Sequence, residues 1–225
     1  MNHLFYADDA VLLAPTPGSL QELIDICQRF ARANDMSYNF KKSLCTAFLP
    51  PKLGKLHVPA VFLGNDSLQF VDQNKYLGVF INADCTDDSD VVRLMQSLYR
   101  NGNYLHRNFA FCSHNVKIQL FKTFCYNLYG THLWSRYSKK SYQKANVAYN
   151  DVLRKLFGFK RGDSISGAAV GLNIYTFSAL RRHLCSKFIK RVHKSTNSLV
   201  ETVVGAVFFS YGSNLLNKWT ECLFL

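Results

Sequence analysis

Between Asp84 and Asp90 the hydrophobic pattern of this 225-residue chain changes period, and that switch constrains the fold more than any other feature. Upstream, short apolar runs are cut by Pro15, Pro17, Gly18, Pro50, Pro51 and Gly64, the pattern of short strands and turns. One helix interrupts them. Ser19 and Glu22 are spaced as a capping box, and Leu20, Leu23, Ile24, Cys27, Phe30 and Ala31 follow on one face that packs on a sheet. Strands are expected over Tyr38–Leu49 and Tyr76–Ile81, with a hairpin turn at Gly64-Asn65 or Asn65-Asp66. Downstream, Val92, Met95, Leu98, Tyr99 and Leu105 share a helical stripe. Further helices are predicted from Asn115 to about Trp134, Ser141 to Phe157 and Thr176 to about Lys194. Small strands followed by a run of helices make the expected class α+β.

The charge divides at the same place. The chain carries a net +12 with a pI near 9.4. Residues 1–90 are nevertheless net −4, and residues 91–225 net +16. From Asp90 to Asp151 there is no other acidic residue, while Arg93, Arg100, Arg107, Lys117, Lys122, Arg136, Lys139, Lys140 and Lys144 recur. An acidic front and a basic back fit an enzyme acting on nucleic acid; a generic basic surface or a membrane-surface binder is the alternative. Seven scattered cysteines without a C-x-x-C pair read as reduced, mostly buried thiols of an intracellular protein. Neither Cys112/His114 nor His183/Cys185 has zinc-site spacing. With Met1 five residues ahead of Tyr6, no signal peptide is expected. The apolar tract Leu199–Tyr211 contains Glu201 and is too short to span a bilayer.

Within the acidic front, Tyr6-Ala7-Asp8-Asp9 stands between two apolar runs, which predicts a β-hairpin with acid at its turn. Neighbouring side chains of a strand point to opposite faces, so an Asp-Asp pair converges only at a bend. Such a pair repels unless a cation lies between, and convergent carboxylates suit Mg²⁺, which shares its oxygen ligands with substrate phosphates. Asp in a turn is also ordinary turn chemistry, because it caps its own backbone. On these residues alone both readings stand.

The order of motifs resembles the back half of the reverse transcriptase of a non-LTR (LINE-like) retrotransposon. Phe5-Tyr6-Ala7-Asp8-Asp9-Ala10-Val11-Leu12-Leu13 looks like the catalytic hairpin. Asn39, Lys42 and Ser43 ahead of Phe48 look like the lysine motif that follows it, and Tyr76-Leu77-Gly78-Val79 like the hairpin that grips the primer. Asp87-Asp88 through Leu133-Trp134 is similar to the helical thumb of these elements, and Ala148-Tyr149-Asn150 with Arg154–Gly158 to the region after it. The resemblance implies the C-terminal part of a palm at 1–83, a helical thumb-like domain at 84–165 and a basic helical tail at 166–225. It implies an RNA-directed DNA polymerase taking an RNA template, a DNA primer and deoxynucleoside triphosphates, with Mg²⁺ in the complete enzyme, inside the cell and, for a retrotransposon enzyme, in the nucleus. Asp8 and Asp9 become metal ligands, and Lys42 a cation facing the leaving pyrophosphate. Tyr6 lies near the primer terminus, Tyr76, Leu77 and Gly78 form the primer grip, and Arg93, Arg100, Arg107, Lys117 and Lys122 contact phosphates. The competing roles are a solvated lysine for Lys42 and a simple turn glycine for Gly78. Tyr99, Tyr104, Tyr126 and Tyr129 are either base-stacking rings or core.

The family's site also uses a third carboxylate, from a strand far upstream of the hairpin, and only five residues precede Tyr6. Two carboxylates hold Mg²⁺ weakly, and two-metal catalysis asks for a clamp on both attacking and leaving oxygens. The isolated chain is therefore expected to be catalytically inactive and marginally stable, with uncovered sheet edge and core. A non-catalytic nucleic-acid-binding remnant is the rival expectation.

Overall fold

A computed structural model describes residues 2–49, 58–209 and 214–224. Helices make up 57% of the chain beside a few small strand pairs, so the class is mixed α+β. The chain divides into two units, 1–74 with 82–85, and 75–81 with 86–225.

In the first unit, β1 (His3–Tyr6) and β2 (Asp9–Leu12) form an antiparallel hairpin in which Tyr6 faces Asp9 and Leu4 faces Val11. Helix α1 (Pro17–Ala33) follows. Its cap is Thr16 rather than Ser19: the Thr16 hydroxyl accepts from the Ser19 backbone N–H at 3.2 Å, and Ser19 occupies the third helical position. Pro17 fits there because its missing N–H is unpaired at a helix start anyway. Instead of a strand over 38–49, the chain makes a 3-10 turn (Phe40–Lys42) and then only β3 (Leu44–Cys45), which pairs parallel with β6 (Gln69–Phe70). Between them β4 (Phe62–Leu63) and β5 (Asp66–Ser67) form a hairpin whose turn is Gly64-Asn65, with Gly64 at φ +70°. The Gln21 amide grips this hairpin. It donates to the Phe62 carbonyl at 2.9 Å and accepts from the Phe62 N–H at 2.7 Å, extending the ladder where no strand does.

The core of this unit is small. Ile24, Cys45, Val61 and Leu68 are buried, with Leu12, Leu20, Phe40, Leu63 and Phe70 packed around them. Phe5, Ile26, Phe30 and Phe48 are each more than half exposed. Every strand pair here is two-stranded and keeps open edges. Amides of this unit should therefore exchange with deuterium well before those of the helical unit. Equal protection in α1 and in the helix at 139–157 would show a stability that this core does not explain.

The second unit is built from α2 (Asp88–Phe109), α3 (His114–Cys125), α4 (Lys139–Phe157), α5 (Ile165–Gly171), α6 (Phe177–His193), α7 (Ser198–Phe209) and α8 (Asn214–Phe224). The helix expected to run to Trp134 stops at Cys125. Gly130, at φ +87°, then turns the chain into a 3-10 segment (Thr131–Leu133). Helices α2 and α4 run parallel and in step. The Tyr99 hydroxyl reaches Asp151 at 3.2 Å, and four residues further along each helix the Lys155 ammonium reaches Asn103 at 2.7 Å. Leu94, Leu98, Leu105, Phe121, Tyr149, Val152, Leu153, Phe177 and Leu180 fill the core beside them. Two tyrosine hydroxyls in this core are paired, as burial requires. Tyr149 donates to the Tyr175 carbonyl at 2.7 Å, and the Tyr126 hydroxyl accepts from the Tyr175 N–H at 2.7 Å.

The thiols follow the expectation in part. Cys45, Cys125 and Cys185 are buried, Cys27 and Cys112 half-buried and Cys85 exposed. Burial pushes the Cys125 thiol up to about 12, so it is an inert apolar filler at neutral pH. No helix among the described residues is long and apolar enough to cross a membrane.

At the foot of the helical unit, His132 lies against Phe188 with ring centres 4.0 Å apart. Its carbonyl accepts from Trp219 Nε1 at 2.9 Å. Burial, and then the Arg191 charge, lower the His132 pKa below the usual 6.5. The fold holds the ring neutral, so its contribution is complete above pH 6.5 and declines as pH falls from there to the folded-state value. The urea midpoint should fall across that window, and His132→Phe should remove this part of the fall. An unchanged profile in the variant would show that the ring is not the titrating group.

Candidate functional site

Strand pairing brings Tyr6, Asp8 and Asp9 together at one exposed hairpin tip. The Tyr6–Asp9 register leaves Ala7-Asp8 as a two-residue turn, with Ala7 at φ +52°. A side chain at that φ costs about 1–2 kcal/mol, so the backbone is strained beside the two acids. Tyr6 and Asp9, directly opposite, share one face of the hairpin, while Asp8 occupies the turn. All three are exposed. Among the described residues no third carboxylate, histidine or cysteine joins them to make a metal-sized cluster. Two hard oxygen donors at an exposed turn fit Mg²⁺ as a partial ligand set, the rest of its octahedron being water or phosphate.

Lys42 ends the 3-10 turn of the same unit and is exposed. Among the described residues no ion pair links it to Asp8 or Asp9.

Tyr76, Leu77 and Gly78 belong to the helical unit. They do not lie in one continuous strand. Strands β7 (Gln73–Tyr76) and β8 (Val79–Asn82) flank a turn in which Leu77 has φ +45° and Gly78 +82°. Positive φ at both central positions matches the twist of a tight hairpin, and explains glycine at the second. The Tyr129 hydroxyl donates to the Leu77 carbonyl at 2.8 Å, and a Cβ on Gly78 would lie 3.3 Å from the Tyr129 ring. Tyr129 is thus a clamp on this turn.

Beneath the clamp is a buried carboxylate that sequence reading placed in a polar junction. Asp90 is fully buried. It accepts from Phe80 N–H at 3.1 Å, from Trp134 Nε1 at 2.8 Å and from both forks of Arg93. Arg93 in turn donates to the Tyr129 carbonyl at 2.7 Å. Its neighbours act alike. Asp87 accepts from Ser135 N–H at 2.7 Å and Arg136 N–H at 2.6 Å, and Asp88 from Ser138 N–H at 3.0 Å. Burial pushes the Asp87 carboxyl up, the two N–H donors pull it down, and Asp90 and Asp88 add repulsion. The acidic stretch pins the start of α2 to the segment leading into α4. The Asp90–Arg93 spacing of three residues on a helix was the available signal; Trp134 and Phe80 gave none.

The remaining basic residues are dispersed. Arg93, Arg100 and Arg107 recur every seven residues along one side of α2; Arg93 is turned onto Asp90, whereas Arg100 and Arg107 are exposed. Lys117 and Lys122 on α3 are half-buried and, five residues apart, point about 140° from one another. No family model, curated protein or solved structure matches the chain.

Proposed function

We propose that the chain is part of an RNA-directed DNA polymerase of the non-LTR retrotransposon type, from the end of the palm through a helical thumb. The observation that carries this reading is the strained two-residue turn presenting Asp8 and Asp9 at an exposed tip. Its support is the sequence order of Lys42, the Leu77-Gly78 turn and a basic helical unit behind it. In that reading Asp8 and Asp9 hold Mg²⁺, which supplies charge stabilisation to the attacking 3′-oxygen and the leaving pyrophosphate. Lys42 offsets charge on the pyrophosphate. The Leu77-Gly78 turn, held by Tyr129, positions the primer, and Arg100 and Arg107 contact phosphates without reading sequence.

Two carboxylates do not complete a two-metal clamp, so the 225-residue chain by itself is expected to bind primer–template in a salt-sensitive manner and to extend nothing. A primer-extension assay on an RNA template with Mg²⁺ and all four deoxynucleotides tests this. Extension that vanishes in Asp8→Asn would overturn the inactivity while supporting the polymerase reading. Absence of any salt-dependent binding would overturn the reading itself. The net +16 over residues 91–225 favours one second reading, a non-catalytic nucleic-acid binder. Genomic sequence upstream of the Met1 codon separates the two: a frame that continues into an Asp-bearing strand supports the polymerase.

A further inference from the structure

We infer that the groove between α2 and α4 is a binding site for an unpaired nucleotide of a nucleic-acid strand. The groove is shallow and open, with a volume of about 350 Å³, and is lined by Met95 and Tyr99 of α2 and by Lys140, Gln143, Lys144 and Val147 of α4. That volume lies at the low end for small-ligand sites, enough for one base and sugar and too little for a folded partner. Its walls are set by the helix register. Met95 and Tyr99 are one turn apart on α2. The four α4 residues fall at positions i, i+3, i+4 and i+7, a single helix face.

Three features choose the ligand. First, Tyr99 is 38% exposed, yet its hydroxyl is tied to Asp151 at 3.2 Å, so a flat surface is held ready at the groove wall. Second, Met95 and Val147 complete an apolar floor, which suits a base face or another planar ring. Third, Lys140 and Lys144 are exposed and, among the described residues, neither has a carboxylate partner. They stand roughly 6 Å apart along the axis, both within reach of a phosphate beside a base in the groove. Asp151 is engaged by the Tyr99 hydroxyl and lies 3.6 Å from Arg154, while Asp88 accepts at 3.0 Å from the N–H of Ser138, at the start of α4, so neither acid is ion-paired with the two lysines. A stacking ring with two free cations at its edge is how single strands are held without regard to sequence. An anionic bilayer also attracts lysines, but a flat surface does not enter a concave groove between two helices.

The proposal rests on a nucleic-acid partner but not on the acidic turn or on polymerase activity. Fluorescence polarisation with the full 225-residue protein tests it, using a labelled oligo-dT, an abasic strand of equal length, a blunt primer–template duplex and vesicles containing phosphatidylserine. Tyr99→Ala should weaken oligo-dT binding roughly tenfold and leave the abasic strand and the duplex unchanged. Tyr99→Phe, which keeps the ring, should retain most of the affinity. Lys140→Gln with Lys144→Gln should flatten the logarithmic salt dependence on single strands by about 1.4, as for two lost phosphate contacts. Equal loss on dT and abasic strands, or no loss in Tyr99→Ala, overturns the groove as a base site. Loss of vesicle binding alone in the lysine variant assigns the face to a membrane and also overturns it. Failure to bind any of the three nucleic acids sinks the wider nucleic-acid reading, whereas duplex binding with oligo-dT indifferent to Tyr99 sinks only this site.

Discussion

Replacing Asp90 by alanine should cost the helical unit about 3–4 kcal/mol, the largest loss expected of any single polar substitution in the chain. The carboxylate is wholly buried and serves four donors, so its removal leaves three groups in need of new partners. The Arg93 guanidinium loses its counter-charge with its side chain only 19% exposed. Trp134 Nε1 and Phe80 N–H lose their acceptor, and an orphaned buried donor costs about 1–3 kcal/mol. The terms are not additive, because Arg93 keeps the Tyr129 carbonyl and can swing partly into water. Asp90→Asn should cost less, since it retains one acceptor oxygen. Arg93→Ala combined with Asp90→Ala should cost less than the sum of the two, as for any pair in contact. Urea unfolding followed by the fluorescence of Trp134 and Trp219 reads all of these. Exchange protection of the Phe80 amide should fall in step with Asp90→Ala. A loss below about 1 kcal/mol would mean that the ion pair contributes little net stability and the surrounding packing holds the hairpin without it.

The same residues show why some of this molecule was legible in its sequence and some was not. Long helices could be read because their apolar stripes repeat over many turns: the stripe from Val92 to Leu105 falls within α2, and α4 and α6 end within a few residues of expectation. The two-residue acid turn could be read because flanking strands and turn residues are neighbours in the chain. Phe62 is different. Its backbone is partnered by the Gln21 amide from 41 residues away, and nothing local marks a glutamine for that task. The strand over 38–49 failed for a related reason. A strand exists only by its partner, and β6 offers two residues to pair with Leu44 and Cys45. The helix predicted to reach Trp134 stops at Cys125, and Gly130 at φ +87° serves a later turn that an apolar count does not register. At the candidate site, the hairpin turn that carries Asp8 and Asp9 was visible in advance. The positioning of the Leu77-Gly78 turn by Tyr129, Asp90 and Arg93 was not, because those contacts link residues far apart in the chain.

A second large effect is expected at Gly102, where α2 packs directly against Val152 of α4. A Cβ built there would stand 2.6 Å from both Val152 methyls and 3.1 Å from its Cβ, distances that require something to move. Val152 is buried and β-branched, so neither rotation nor escape to solvent relieves the clash. Alanine in a helix interior gains about 1 kcal/mol over glycine from chain entropy, which opposes the steric cost. Overpacking of a filled core costs about 1–3 kcal/mol, so Gly102→Ala should be destabilising by a net of about 1 kcal/mol. Gly102→Val adds two methyls at the same contact and should cost about 3 kcal/mol. Pushing the helices apart also strains the Tyr99–Asp151 and Asn103–Lys155 contacts on either side. The decisive variant is the compensating one. Val152→Ala should cost stability alone through the cavity it opens, yet restore much of the loss when combined with Gly102→Ala, because the new methyl fills the space. Chemical denaturation of the two single variants and the pair reads that coupling directly. If the two costs simply add, the clash is relieved elsewhere and the α2–α4 contact is not the constraint that its geometry implies.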